Sequence, residues 1–398
     1  MKVVQINATY GIGSTGKICA YLVANSQAAN IENYVLYSSG NFIERNGSKF
    51  SSTIYTKIQA LKSRIMGNYG FNSRWSTQRL IAQLDKIKPD IVHLHNIHSH
   101  DCNLRMLFQY LRNKKTRIIW TFHDCWAFTG YCPHFDMIGC NHWENGCGNC
   151  PQYREYSWFV DRSDTLFHWK KELLHGIDLM IVTPSKWLAD LAKRSFLGAY
   201  PIRVIHNGID LSVFEPTESD FRKNHNLVGK KMVLGVAFDW GKRKGLDVMI
   251  HLARKLPEDY RIILVGTNDL IDKQLPASII SIHRTLNQKE LAAIYSAADV
   301  FVNATREENF PTVNIEAIAC GTPVVTFQTG GSPEILDDSC GSVVERDDIE
   351  ALEREVYRIC ETKPYSVADC RRRAQKFNMN DCYRRYIELY EENRVGRD

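Results

Sequence analysis

The sequence has no apolar run near the roughly 20 residues that a membrane-spanning helix requires, which excludes a transmembrane segment on hydropathy. It has no fixed-period repeat and no low-complexity tract, so solenoids, collagen-like chains and coiled coils are excluded as well. A dominant charge is also missing. Fifty basic residues face 45 acidic ones, a net charge of +5, which suits an anionic substrate or membrane surface and makes a nucleic-acid partner unexpected. The opening Met1-Lys2-Val3-Val4-Gln5-Ile6-Asn7-Ala8 turns polar and glycine-rich too early for a signal peptide, so a cytoplasmic protein is expected. What is present is a 44% hydrophobic, 24% charged chain of 398 residues, long enough for two or three globular domains.

Short apolar stretches alternate with longer amphipathic ones, the rhythm of βαβ units in parallel sheets. Strands are expected at Lys2–Asn7, Tyr34–Tyr37, Ile91–Leu94, Arg117–Phe122 and Leu179–Thr183. A second series is expected at Met232–Ala237, Arg261–Val265, Val300–Asn303 and Pro323–Thr326. Helices are expected at 16–27, 246–254, 288–296 and 312–319. Asn207–Gly229, with Asn-Gly, a proline and many charges, reads as the linker between two α/β domains. The expected division is residues 1–206, 207–378, and a terminal helix over 379–398 that can reach back to the first domain. Both domains are expected to be doubly wound and Rossmann-like, with a ligand cleft at facing strand ends.

The most informative stretch runs from Arg306 to Pro323. Pro311 suits the first turn of a helix and Gly321 its C-terminal stop. The helix start then offers unpaired N–H groups just after Glu308, with Glu316 in its second turn. Carboxylates accept from sugar hydroxyls while N–H groups bind phosphate, so the pair suits a phosphorylated, hydroxyl-rich ligand. This stretch resembles the E-x7-E signature of the retaining GT-B glycosyltransferases of family 4. His206-Asn207-Gly208-Ile209-Asp210 with Phe214, Lys244-Gly245-Leu246-Asp247, Ala298–Val302 and Cys320–Val325 resemble its other segments.

The resemblance implies a fold, a reaction and a set of residues. Glu308 would hold the hydroxyls of the donor sugar and Glu316 those of the ribose. Asn207, Asn309, Phe310, Thr312 and Val313 would lie along the donor, and Lys244 would neutralise the departing diphosphate. The family's usual Gly-Arg after the strand is absent, since the chain reads Val236-Ala237-Phe238-Asp239-Trp240. Arg243, or Lys242 in its place, is expected to supply the second cation. The family needs no divalent metal for its chemistry, and no obvious Asp-x-Asp stands in a donor-binding context here. No catalytic cofactor is expected. A retaining transfer from a nucleotide diphosphate sugar to a saccharide, lipid-linked at the inner membrane face, in bacterial surface-polysaccharide assembly, is the expected function. The alternative is a nucleotide-sugar epimerase of the same layout.

In the first half, Gly11-Ile12-Gly13-Ser14-Thr15-Gly16-Lys17 is a glycine-rich turn whose Gly13 and Ser14 would approach donor phosphates. It approaches a Walker A loop too, but Ile18 stands where that motif needs Ser or Thr. Thr121-Phe122-His123-Asp124 resembles the family's His-Asp at the active-site rim, where His123 would touch the transferred sugar. The run His93-Leu94-His95-Asn96-Ile97-His98-Ser99-His100 is either a hydrogen-bonded acceptor loop or a metal site. Twelve cysteines are an excess without an export signal. Cys132, Cys140, Cys147 and Cys150 crowd into an insert over 125–151, where structural zinc, disulfides and free thiols all stay open. The other eight cysteines read as small core residues.

Overall fold

The computed structural model describes residues 1–40 and 46–395. The last three positions of the expected terminal helix therefore lie outside the described residues. The chain forms two compact units: Met1–Ile205 together with the chain from Tyr383 onward, and His206–Cys382.

Seven strands build the first unit: β1 (Lys2–Thr9), β2 (Glu32–Ser39), β3 (Gly47–Lys49), β4 (Ile91–Leu94), β5 (Arg117–Thr121), β6 (Leu179–Thr183) and β7 (Ile202–Val204). They pair in the order β3-β2-β1-β4-β5-β6-β7, every pair parallel. Strands covered on both faces need apolar residues at nearly every position, and Ile118–Trp120 and Ile181–Val182 are buried accordingly. The order reverses between β1 and β4, so the loops after these two strands border the crevice where such sheets bind ligands.

The second unit repeats the plan with β8 (Lys231–Val236), β9 (Tyr260–Val265), β10 (Ile279–Ile282), β11 (Val300–Asn303), β12 (Val324–Phe327) and β13 (Gly341–Val344). Their order is β10-β9-β8-β11-β12-β13, again all parallel. Here the reversal falls between β8 and β11. Its loops are the ones that carry Lys244 and Glu308.

One expectation needs correction. Asn207–Gly229 is not a loose linker: Ile209, Phe214 and Leu227 are buried in the second unit's core. Ile209 also forms a parallel bridge with Asn378. Its charges and Asn-Gly mark turns between anchored apolar residues, and turn composition alone does not distinguish the two cases. The glycine-rich turn is not of the Walker type, in line with the Ile18 that follows it. The helix already starts at Gly13 and runs to Ser26, and Ile18 packs into the core where a magnesium-binding hydroxyl would have to stand.

The cysteine-rich insert is held by its aromatic residues. Phe128 meets Trp143 edge-on with centroids 5.3 Å apart, and Phe135 stacks on Trp143 at 5.1 Å. Beneath it lies Lys170, fully buried, whose ammonium donates to the carbonyls of Trp126, Thr129 and Gly130 at 2.7, 2.9 and 3.3 Å.

Candidate active site

The second unit brings the expected donor residues together. Lys244 ends a short 3-10 turn after β8, Glu308 lies in the loop after β11, and their side chains meet at 2.6 Å. Both are about one-fifth exposed, so the pair faces a partly desolvated space where charge acts more strongly than in water. Arg306 ties the two loops together. Its guanidinium forks onto Asp247 at 2.8 and 2.9 Å, takes Asp347 at 2.6 Å, and donates to the Lys242 carbonyl. Its backbone N–H donates to the Arg243 carbonyl at 2.8 Å. The sequence reading named Arg306 only as the first residue of a stretch. Its role depends on partners about 40 to 60 positions away, which local pattern cannot supply.

The helix Thr312–Ala319 has no side-chain cap and no acid in its first turn, so its first N–H groups and dipole are available to an anion. Phe310, just before it, is buried and stacks on His206 with centroids 4.9 Å apart and planes 8° from parallel. Asn309 is buried and its carbonyl accepts from Gly331. Glu316 accepts from the Tyr295 hydroxyl at 3.2 Å. Burial, reinforced by the Glu316 charge, raises the Tyr295 phenol well above its ordinary range. Thr312, Val313 and Asn207 are partly exposed.

Three residues after β12, Gly330 adopts φ +55° and touches the Glu308 carbonyl so closely that a Cβ would come within 1.7 Å. Nearby, Asn314 Nδ2, Thr329 Oγ1 and Ser332 Oγ are buried and make no hydrogen bond among the described residues. Buried polar atoms normally find partners. The Thr329-Gly330-Gly331-Ser332 turn was missed in the sequence, though paired glycines after a strand were a usable signal. Phe238, in the stretch where the family's arginine would fall, is 99% exposed. The Arg243 side chain is partly exposed and Lys242 exposed.

In the first unit, His123 Nε2 and His95 Nδ1 lie 3.1 Å apart with rings nearly parallel, and His95 Nε2 reaches Gln5 Oε1 at 3.2 Å. His93 bonds Tyr390 and Thr121 at 2.6 and 2.8 Å. Burial holds His123 down to about 4 and His93 to about 3, and His95 falls well below 6.5. These imidazoles are neutral hydrogen-bonding groups at pH 7. His98 differs. Burial opposes its charge, but Asp124 at 2.9 Å outweighs that and raises it, while His98 holds Asp124 near 2 against burial. Within the run His93 and His95 hydrogen-bond to separate partners, His98 forms one ion pair, and His100 Nδ1 is buried with no hydrogen bond among the described residues. Gly13 and Ser14 are exposed in the uncapped first turn of the helix after β1. All twelve cysteines are free, and Cys132, Cys140, Cys147 and Cys150 line one small cavity with Trp143 and His142.

Fold and comparison together define a class, the two-unit α/β glycosyltransferases. Residues 19–213 match Glycosyltransferase Family 4 and residues 217–377 match Glycosyl transferases group 1. The chain belongs to the GT-B glycosyltransferases of family 4. It is 26% identical over 273 residues to WcaC of Escherichia coli (strain K12), a glycosyl transferase whose name assigns it to colanic acid biosynthesis, with 66% of each chain covered. It is 28% identical over 190 residues to the D-inositol 3-phosphate glycosyltransferase of Corynebacterium jeikeium (strain K411), covering 42% of this chain and 45% of that one. The matched region thus spans just under two thirds of the first relative's length and less than half of the second's. Sucrose-phosphate synthase from Thermosynechococcus elongatus shares the fold at TM-score 0.73 and 18% identity, with 99% of both chains covered. Anabaena Alr3699/HepE in complex with UDP-glucose shares it at TM-score 0.68 and 14% identity, covering 98% of this chain and 100% of that one.

Proposed function

We propose that the protein transfers a sugar, with retention of anomeric configuration, from a nucleotide diphosphate sugar to a lipid-linked saccharide in bacterial surface-polysaccharide assembly. The observation that carries the donor side is the Lys244–Glu308 pair beside the open helix start at Thr312. The diphosphate lies along that helix start, with Glu316 on the ribose and Glu308 on the sugar hydroxyls. Lys244 and Arg243 stabilise the charge that grows on the diphosphate as the glycosidic bond breaks. A diphosphate oxygen takes the acceptor proton on the same face, so neither a protein nucleophile nor a divalent metal enters the reaction. The neutral His123, in the first unit, is suited to hydrogen-bond a sugar hydroxyl. The buried hydroxyls of Thr329 and Ser332 supply further polar contacts to the donor.

A second feature supports a membrane-borne acceptor. In the helix Thr53–Met66, Gln59 and Ser63 face inward, while Ile54, Ile58, Leu61 and Ile65 are 75, 53, 50 and 44% exposed. Exposed Trp158 and Phe159 adjoin its end, with the Trp158 N–H on the Arg64 carbonyl. Residues 46–84 contain Lys49, Lys57, Lys62, Arg64, Arg74 and Arg79 and no acid. An apolar stripe with a basic rim suits the surface of an anionic bilayer. Among the described residues no helix is long and apolar enough to cross a membrane, so this contact is peripheral. The name of WcaC and the UDP-glucose bound by HepE point the same way for pathway and donor class.

Screening nucleotide sugars by thermal shift identifies the donor, since a ligand that binds the native state raises Tm. That donor with a lipid-linked acceptor is expected to give a product of unchanged anomeric configuration by NMR. An inverted product, or an epimerised donor formed without acceptor, would contradict the proposal.

A further inference from the structure

We infer that Cys132, Cys140, Cys147 and Cys150 bind one structural zinc ion as four thiolates. The four line a single cavity of about 20 Å³, room for one water-sized particle. Cys132 Sγ and Cys150 Sγ stand 3.9 Å apart, close to the roughly 3.8 Å edge of a tetrahedron built on Zn–S bonds of about 2.3 Å. Cys147 and Cys150 form a two-residue-spaced knuckle, and the Gly130 N–H points at Cys147 Sγ at 3.2 Å, the kind of outer hydrogen bond that supports a ligating thiolate. Among the described residues no three of these sulfurs are mutually within 4.8 Å. Coordination therefore requires Cys140 and Cys147 each to move closer to the Cys132–Cys150 pair.

Lys170 supplies an independent argument. This fully buried side chain donates to three carbonyls, stands 3.6 Å from the Trp126 ring centroid and has no ion pair with a carboxylate among the described residues, and burial works against its charge. Asp124 is engaged by His98. A buried cation without an anion is expensive. A zinc tetrathiolate carries a net charge of about −2 and would place it beside Lys170, whereas neutral thiols or disulfides would not. Binding exchanges four S–H bonds for four Zn–S bonds and releases four protons to water. The ion would fix an insert whose Trp126 N–H holds Asp124 at 2.9 Å and whose Pro133 carbonyl accepts from Cys125. The site is therefore structural, and it steadies the His98–Asp124 rim.

Metal analysis of the full-length chain, purified without chelator, tests this. About one zinc per chain is expected, falling to background in Cys147→Ser/Cys150→Ser. Should that variant fail to fold, cobalt exchanged into the wild-type chain is expected to show the intense visible bands and thiolate charge-transfer absorption of a tetrahedral sulfur site. Zinc below a tenth of the chain concentration would overturn the inference, whether the thiols then titrate as free or the mass reveals disulfides. Iron in place of zinc, zinc undiminished in the double variant, or cobalt without a thiolate band would overturn it equally.

Discussion

Single side chains in this protein do their work by being kept in the wrong environment for their charge. His93 and His123 are buried and hold out against protonation to about 3 and 4, whereas imidazoles in the unfolded chain titrate near 6.5. Between those values the unfolded state binds more protons, so stability rises with pH there and is lost on acidification. His98 runs the other way. Its raised value makes its contribution present below about 6.5 and lost as pH climbs through the folded value. Asp124, held near 2, contributes above about 3.9 and loses that contribution only as pH falls towards 2. The expected outcome is a denaturant-derived stability that falls steadily from pH 7 to pH 4.5. His93→Gln should flatten the slope by up to roughly 1.4 kcal/mol per pH unit. A pH-independent stability would show that these histidines are not buried as described. Arg306 shows a second kind of residue effect: mostly buried, it joins the loops carrying Lys244 and Glu308 through Asp247 and the Lys242 carbonyl, while Asp347 after β13 takes its remaining charge.

At the scale of elements, the loop carrying Glu308 depends on a close backbone approach. Gly330 leaves no space for a methyl group against the Glu308 carbonyl and sits at φ +55°. Gly330→Ala is therefore expected to cost more than about 1 kcal/mol and to lower turnover by displacing Glu308, measured as Tm and kcat on one preparation. Unchanged kcat would separate the turn from the site. The helix Thr53–Met66 makes a different prediction. Ile58→Asn/Leu61→Asn removes two exposed apolar side chains without touching the core. It should weaken co-sedimentation with anionic vesicles at least tenfold, on the order of 1.4 kcal/mol, while leaving turnover of a water-soluble acceptor intact. Vesicle binding equal to that of the unaltered chain would rule out this face. The inward polar side and outward apolar side of this helix invert the usual pattern, which is why periodicity gave no hint of its role.

For the molecule as a whole, the central strands of both sheets were legible because burial on both faces writes itself as short apolar runs. Ile91–Leu94, Leu179–Thr183 and Val300–Asn303 match their expected bounds. The outer strands were not legible. Gly47–Lys49 is Gly-Ser-Lys and Ile202–Val204 is interrupted by arginine, since an edge strand needs little apolar surface and relies on its neighbour for pairing. Lys244, Glu308 and Glu316 were visible as motif residues because their chemistry is local. The Arg306 clamp, the Tyr295–Glu316 bond and the Gly330 turn were not, because each is made by chain segments brought together only by the fold.

The central claim is that the Lys244–Glu308 pair at the second sheet's reversal point performs the transfer. Turnover of Lys244→Ala and Glu308→Ala, beside their Tm, tests it most directly. The account predicts that each variant loses about 10²–10³-fold or more in kcat while Tm stays within a few degrees of the unaltered chain. Near-normal turnover in both variants would contradict it.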